Sequence, residues 1–352
     1  MSVVERIWYG SSAGARVARA ALTPASWLVH AGVQLRAWRF EHAPDAQQPS
    51  PLPALSVGNI SVGGTGKTPV AAWAAAALRA RGAAPAIVMR GYGDDEPLVH
   101  ARLNPEVSVI VDADRVRGAE RARADGADCV ILDDGFQHRR IARISDWVLV
   151  AAERWRDDLL LLPAGPLREP LDALARADVL VVTRKSASRE QAEEIGRRLG
   201  ARFPTLGLAL CHLALDALVD ARTGERRPLT WLADRRIVAA AAIGEPAAFF
   251  AQLSAAGARV DERAFRDHHA FDAADVADLA AAADRRDALV CTLKDAVKLA
   301  PRWPPAAAPL WYVSQIAVIE RGNSVLDRAL EAVLAARQVV TSTAGPAGPS
   351  FV

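Results

Sequence analysis

Ala54-Leu-Ser-Val-Gly-Asn-Ile-Ser-Val-Gly-Gly-Thr-Gly-Lys-Thr68 decides the fold. Its first seven residues are a short apolar run of strand length. From Ser61 the run turns glycine-rich, and from about Thr68 to Arg81 the pattern is helical. A strand that runs through a glycine-rich turn into a helix is the setting of a phosphate-binding P-loop. Gly63, Gly64 and Gly66 let backbone N–H groups turn inward around phosphate oxygens, and the helix N-terminus adds the positive end of its dipole. Lys67 supplies a cation for the β- and γ-phosphates of ATP, and the Thr68 hydroxyl a ligand for Mg²⁺. The nucleotide-binding candidates are therefore Ser61, Val62, Gly63, Gly64, Thr65, Gly66, Lys67 and Thr68. Ser61 stands where the motif has its first glycine, and Gly63–Gly64 supply the missing freedom.

Outward from this stretch, short continuous apolar runs recur at 86–90, 128–132, 147–150 and 179–183, with a helical segment at about 113–124. Buried strands alternating with helices predict a doubly wound, mostly parallel α/β sheet. The run Cys129-Val-Ile-Leu132 ends in Asp133-Asp134. Carboxylates at the tip of a neighbouring strand can organise the metal of a P-loop enzyme, so Asp133 and Asp134 join Thr68 as metal candidates. A second cycle starts near residue 226, with strands at 236–241, 259–265, 288–292 and 310–313 and helices at 246–255, 273–283 and 324–336. The expected organisation is an amphipathic N-terminal segment (1–42), a P-loop domain (43–225), a second, smaller α/β domain (226–338) and a disordered tail (339–352).

The 352 residues suit about two domains, and half of them are apolar, enough for sizeable cores. A formal net charge of +2 argues against a nucleic-acid partner. Cys129, Cys211 and Cys291 make no metal-binding spacing and read as small buried hydrophobes of a reducing compartment. No apolar run is long enough to span a bilayer. Residues 6–40 carry no acidic side chain, yet Arg6, Arg16, Arg19, Arg36 and Arg39 alternate with Trp8, Tyr9, Leu22, Trp27, Leu28, Leu35 and Trp38. That mixture suits the headgroup layer of a membrane, and it equally suits an amphipathic helix packed on its own domain.

Three further clusters carry chemistry-bearing side chains. Asp94-Asp95-Glu96-Pro97 follows a strand of the P-loop domain, where a carboxylate can orient or deprotonate an acceptor hydroxyl; a solvated turn is the alternative. Asp267-His268-His269 precedes a helix and reads as an acid/base pair, a metal site or a cap supplied by Asp267. Adjacent histidines point apart, which disfavours chelation of one ion by both. Thr292-Leu-Lys-Asp-Ala-Val-Lys298 places lysines after a strand, to meet a phosphate or to begin a surface helix. An Asn-Lys-x-Asp guanine loop, the mark of a GTPase, does not occur, and a nucleotide-binding membrane sensor without transfer chemistry is the rival from another class.

VGNISVGGTGKTP (57–69), RGYG (90–93), DEP (95–97), DDGFQH (133–138), LLPAGPLREP (161–170), DHH (267–269) and LKDAVK (293–298) appear in this order. Together they resemble the tetraacyldisaccharide 4'-kinase family over about residues 5–335. The resemblance implies transfer of phosphate from ATP, with Mg²⁺, to the 4'-hydroxyl of a lipid A disaccharide precursor, giving lipid IVA. It implies a peripheral protein of the cytoplasmic face of the bacterial inner membrane, docked by its N-terminal helix. It also implies that Asp95 acts on the hydroxyl and that His268 pairs with Asp95, with His269 apart. Arg168 and Glu169 would line the same cleft. As Asp95 and His268 fall in different predicted domains, their site is expected between lobes. One departure is a shortened loop: Asp94 follows Gly93 at once, where the family usually carries an insertion.

Overall fold

The computed structural model describes residues 3–91 and 95–343, so Tyr92, Gly93 and Asp94 of the motifs above and the tail from 344 lie outside the described residues. In chain order, α1 (Val3–Tyr9) and α2 (Ala13–His42) precede β1 (Ala54–Asn59), α3 (Lys67–Ala80), β2 (Pro85–Met89), α4 (Asp95–Leu103), β3 (Ser108–Val111), α5 (Arg115–Ala124) and β4 (Cys129–Asp133). Next come β5 (Ser145–Ala151), β6 (Val179–Arg184), α6 (Arg189–Arg202), β7 (Gly207–Asp220) and β8 (Arg226–Pro228). The chain continues through β9 (Arg236–Ala241), α7 (Pro246–Ala255), β10 (Arg259–Ala264), α8 (Ala273–Ala283), β11 (Ala288–Thr292), α9 (Leu293–Leu299), β12 (Leu310–Arg321) and α10 (Asn323–Thr343).

Two units divide these elements. The smaller holds the described residues of 1–5, 92–102 and 213–316, and the larger those of 6–91, 103–212 and 317–352. The chain crosses from one to the other inside β7 and inside β12. This division differs from the expected boundary at 225, because β7 is one uninterrupted strand that the sequence pattern did not reveal. It also moves α4 out of the P-loop domain.

In the larger unit the strand order is β7-β6-β5-β1-β4-β2-β3, and the pairs in this run are parallel. β1, β2, β4 and β5 are buried at every residue, which explains their unbroken apolar sequences: helices cover both faces of a parallel sheet. β3 sits at the edge and exposes half of its four residues. The sequence pattern does not single out this Ser-Val-Ile-Val strand, nor α6 and β7. In the smaller unit the order is β10-β9-β11-β12-β7, with β9 buried after its first residue and β11 before its last. Its cores flank this sheet: Phe250, Leu253 and Trp311 belong to one, Phe271, Leu279 and Leu299 to the other.

Two further expectations need correction. The acidic segment at 95–97 opens a helix, α4, rather than lying in a loop. The last helix runs to Thr343, so the first residues of the tail expected from 339 are helical.

Tight packing surrounds β1 where it approaches the glycine-rich turn. A Cβ on Gly58 would sit 2.5 Å from Phe136 Cβ and 2.7 Å from the Phe136 amide nitrogen. Neither neighbour is the end of a flexible side chain, so the backbone itself would have to shift. Gly58→Ala is therefore expected to lower the unfolding free energy by about 1–3 kcal/mol, as overpacked cores do. Chemical denaturation checks this, and an unchanged midpoint would contradict the packing argument.

Candidate functional site

The glycine-rich turn lies between β1 and α3 at the C-terminal edge of the parallel sheet, where open α/β sheets bind ligands. Gly63 (φ 114°) and Gly66 (φ 84°) occupy backbone conformations that side chains resist, and Gly66 is the N-cap of α3. Thr65 pins the loop from below. Its buried hydroxyl accepts a hydrogen bond from Asn59 Nδ2 at 2.8 Å, and its carbonyl accepts one from Thr183 Oγ1 at 2.9 Å. The Val62 amide donates to the Pro166 carbonyl at 2.8 Å, and Ser61 bridges to Leu167. Lys67 and Thr68 form the first turn of α3, both partly exposed.

Asp133 ends β4, in register with Val57 of β1, so parallel pairing carries this carboxylate to the edge that holds the loop. Asp134 follows with φ 53°. Arg168 Nη1 lies 2.9 Å from each of its carboxylate oxygens, and Lys67 Nζ lies 3.5 Å from Oδ1. Burial opposes charge on Asp134, but the Lys67 and Arg168 cations outweigh it and hold the carboxyl below the ordinary range. Arg168 thus meets Asp134, while Glu169, expected beside it in a cleft with Asp95, pairs with Arg176 at 2.8 Å.

Two cations beside the loop escaped the sequence reading. A Cβ on Gly63 would fall 2.7 Å from Arg154 Nη1, and Lys185 Nζ donates to the Gly64 carbonyl at 3.4 Å. Arg154 follows β5 by three residues and Lys185 follows β6 by one. The available signal was positional: a cation just past the C-terminal end of a parallel strand. Among the described residues no group of three or more His, Cys, Asp and Glu could hold a metal ion. The oxygen donors of Thr68, Asp133 and Asp134 are nevertheless hard ligands of the kind that share Mg²⁺ with nucleotide phosphates.

The second cluster lies in the smaller unit. Asp95, nearly fully buried, begins α4, and its Oδ2 lies 3.4 Å from His268 Nδ1. Among the described residues this oxygen accepts no hydrogen bond. Both residues belong to this one unit, which corrects the expectation of separate domains. α4 is bound there through Arg102, which donates to the Ala221 carbonyl, and through Glu96, 3.9 Å from Lys294. His268 adopts φ 57°, and its amide donates to the Ala242 carbonyl at 3.1 Å. The neighbouring His269 is occupied elsewhere, 2.7 Å from Asp275 Oδ2 and stacked on Phe265. Asp267 does not cap the following helix. That role falls to Asp272, in a reciprocal box with Asp275.

A glycine loop between a strand and a helix, a lysine in that helix's first turn and aspartates at the next strand tip define a P-loop nucleotide-binding α/β protein. A buried carboxylate beside an imidazole adds what a phosphotransferase acting on a hydroxyl needs. The family model described as Tetraacyldisaccharide-1-P 4'-kinase matches residues 18–96 and 93–335, and the chain belongs to that family. It is 36% identical to the tetraacyldisaccharide 4'-kinase of Anaeromyxobacter sp. (strain Fw109-5), over 98% of this chain and 100% of that one. It is 38% identical to the enzyme of that name from Halorhodospira halophila, over 83% and 87% of the two chains. The solved "apo" form of LpxK from Aquifex aeolicus, in complex with ATP, aligns with a TM-score of 0.72 at 26% identity, covering 90% of this chain and 99% of that one.

His138, which ends the motif carrying Asp133 and Asp134, gives a pH test of the larger unit. Burial, together with Arg115, Arg36 and Arg90, pushes its imidazole down to about 4. The unfolded chain binds this proton below about 6.5, while the folded protein refuses it until about 4. Protonation therefore favours unfolding, and stability falls as the pH drops through that window. His138→Gln is expected to flatten this part of the stability–pH curve, measured by urea denaturation between pH 7.5 and 4.5. An equal slope in both proteins would refute the assignment.

Proposed function

We propose that the chain transfers the γ-phosphate of ATP to the 4'-hydroxyl of tetraacyldisaccharide 1-phosphate, forming lipid IVA. The observation that carries the reading is the buried Asp95 carboxylate, whose Oδ2 lies 3.4 Å from His268 Nδ1 and accepts no hydrogen bond among the described residues. In the transfer, the bond between the sugar oxygen and γ-phosphorus forms while the bond from γ-phosphorus to the β-bridging oxygen breaks, releasing ADP. The hydroxyl proton passes to Asp95 Oδ2, which neutralises the carboxylate, and His268 keeps that carboxyl oriented. Backbone N–H groups of Gly63–Thr68 and the Lys67 ammonium hold the transferring phosphate. When bound, Mg²⁺ would neutralise phosphate charge, held by Thr68 and Asp133 with Asp134 alongside. Lys67, parked on Asp134 at 3.5 Å, would exchange this partner for phosphate oxygens.

A second reading concerns where the chain works. No described helix is long and apolar enough to cross a membrane. α2 instead exposes Val17, Leu28, Leu35 and Trp38 at 57–78% of their surface, spaced so that they share one face, with Trp27 adjoining. Its other face is fixed, as the Ser26 hydroxyl donates to the Leu161 carbonyl at 2.9 Å and accepts the Ala164 amide at 3.1 Å. We infer that α2 lies in the lipid interface of the inner membrane's cytoplasmic face, with Arg16, Arg36 and Arg39 near headgroup phosphates.

Label from γ-labelled ATP should move to the tetraacyldisaccharide with the wild-type protein and not with Lys67→Ala. Asp95→Ala should lose roughly 100-fold or more in turnover while keeping ATP affinity. Near-normal turnover of Asp95→Ala would remove the proposed base, and ATP binding without any transfer would favour the sensor. Replacing Trp27, Leu28, Leu35 and Trp38 by serine should cut co-sedimentation with anionic vesicles about tenfold or more, given the apolar area lost. Undiminished sedimentation would refute interfacial docking.

A further inference from the structure

Residues 293–299 form α9, the helix that the sequence pattern allows after β11, and Lys298 lies partly buried in its last turn. We propose that Lys298 is a positioning residue for the acceptor-activating carboxylate, fixing Asp95 in place and in its charged form; this inference rests on the role of Asp95 given above. A carboxylate withdrawn from water needs a compensating charge. Asp95 has 5% of its side chain exposed, and Lys298 Nζ lies 3.9 Å from Oδ2, the same oxygen that faces His268.

Lys298 is itself held from several directions, which separates it from a wandering surface lysine. Its ammonium donates to the His269 carbonyl at 3.0 Å, lies 3.5 Å from Asp295 Oδ1 and sits over the Phe271 ring at 5.4 Å. Asp295 is fully buried, and its other oxygen accepts from the Thr292 hydroxyl at 2.7 Å and the Ala242 amide at 3.1 Å. The Ala242 carbonyl in turn accepts the His268 amide at 3.1 Å. One buried carboxylate thus anchors both partners of Asp95: the ammonium through an ion pair, and the imidazole through the Ala242 backbone. The other charged groups nearby are Glu96 with Lys294, and Asp267, 3.9 Å from His268 Nε2.

Lys298 touches no reacting atom in this scheme, so its removal should slow the chemical step and leave nucleotide binding alone. Lys298→Met is expected to lower kcat roughly 100-fold with KM for ATP within about twofold of wild type. The acid limb of the kcat–pH profile should move upward by about one unit, because a carboxylate that loses a neighbouring cation takes up its proton at higher pH. Lys298→Arg, which keeps the charge, should hold the limb near its wild-type position and recover much of the rate even if Lys298→Met proves poorly stable. A wild-type kcat in Lys298→Met, or an acid limb that does not move in either variant while the rate falls in both, would overturn the proposal. Asp95→Ala assayed in parallel separates the two failures: if it is active, the reading of Asp95 falls, whereas an inactive Asp95→Ala beside an unmoved Lys298→Met limb removes Lys298 alone.

Discussion

Parallel pairing of β1 with β4 on one side and β5 on the other is the constraint on which the nucleotide half of the molecule depends. Parallel strands end at a common edge. Pairing Val57 with Asp133 and Asn59 with Leu149 therefore puts the start of the glycine loop, the Asp133–Asp134 tip and the residues after β5 at one place. β6 extends the edge and adds Thr183, whose hydroxyl holds the Thr65 carbonyl, and then Lys185. A slip of register by one residue would turn every buried side chain of β1 to the wrong face and carry Asn59 away from Thr65. Gly58 belongs to the same constraint, since Phe136 packs against β1 where a side chain would otherwise stand.

Charge compensation governs the two functional clusters in different ways. Asp134 is about a quarter exposed and meets two cations, so its charge is stable and Lys67 can leave it for a phosphate while Arg168 stays. Asp95 is nearly dry, and its cation lies beyond direct hydrogen-bond distance. Removing one partner of a buried pair costs about 3–5 kcal/mol, because it strands the other charge, whereas exposed pairs contribute about 0–1 kcal/mol. The pair Arg197–Glu194 on α6, at least half exposed on both sides, belongs to the second class and bears little on the fold. The ranking by burial, rather than by distance, separates the ion pairs that shape the site from those that decorate the surface.

The sheet's interior was legible in the sequence because burial on both faces leaves an unbroken apolar run, as in β1, β4 and β6. β3 offers only Val109-Ile-Val111, with Ile110 alone buried, and in β7 His212 and Asp216 break the apolar run into short pieces buried at 209–211 and 217–219. Of the candidate sites, the glycine-rich loop could be read from local chemistry alone, since glycines, a lysine and a threonine are adjacent in sequence. Asp95, His268 and Lys298 are separated by well over a hundred residues at the widest, and no local pattern distinguishes such a cluster from a turn, a cap and a surface helix. The same limit hid Arg154 and Lys185, whose meaning comes from the strands that deliver them.

The segment 161–170 holds both α2 and the glycine-rich loop. Leu161 and Ala164 grip Ser26 of α2, and the Pro163 carbonyl accepts the Trp8 indole N–H at 3.0 Å. A few residues on, Pro166 holds the Val62 amide, the Arg168 amide donates to the Ile60 carbonyl at 2.7 Å, and the Arg168 side chain meets Asp134. α2 buries Ala15 and Ser26 and half-buries Leu22, Val29, Val33 and Phe40, so apolar contact seats the helix while these polar contacts add direction. Backbone hydrogen bonds are directional where apolar contact is not. A helix held by them keeps a fixed orientation toward the glycine-rich loop while its outer apolar face stays exposed. That arrangement explains why a motif with no titrating catalytic group, Leu-Leu-Pro-Ala-Gly-Pro-Leu, stands directly before the arginine that holds Asp134.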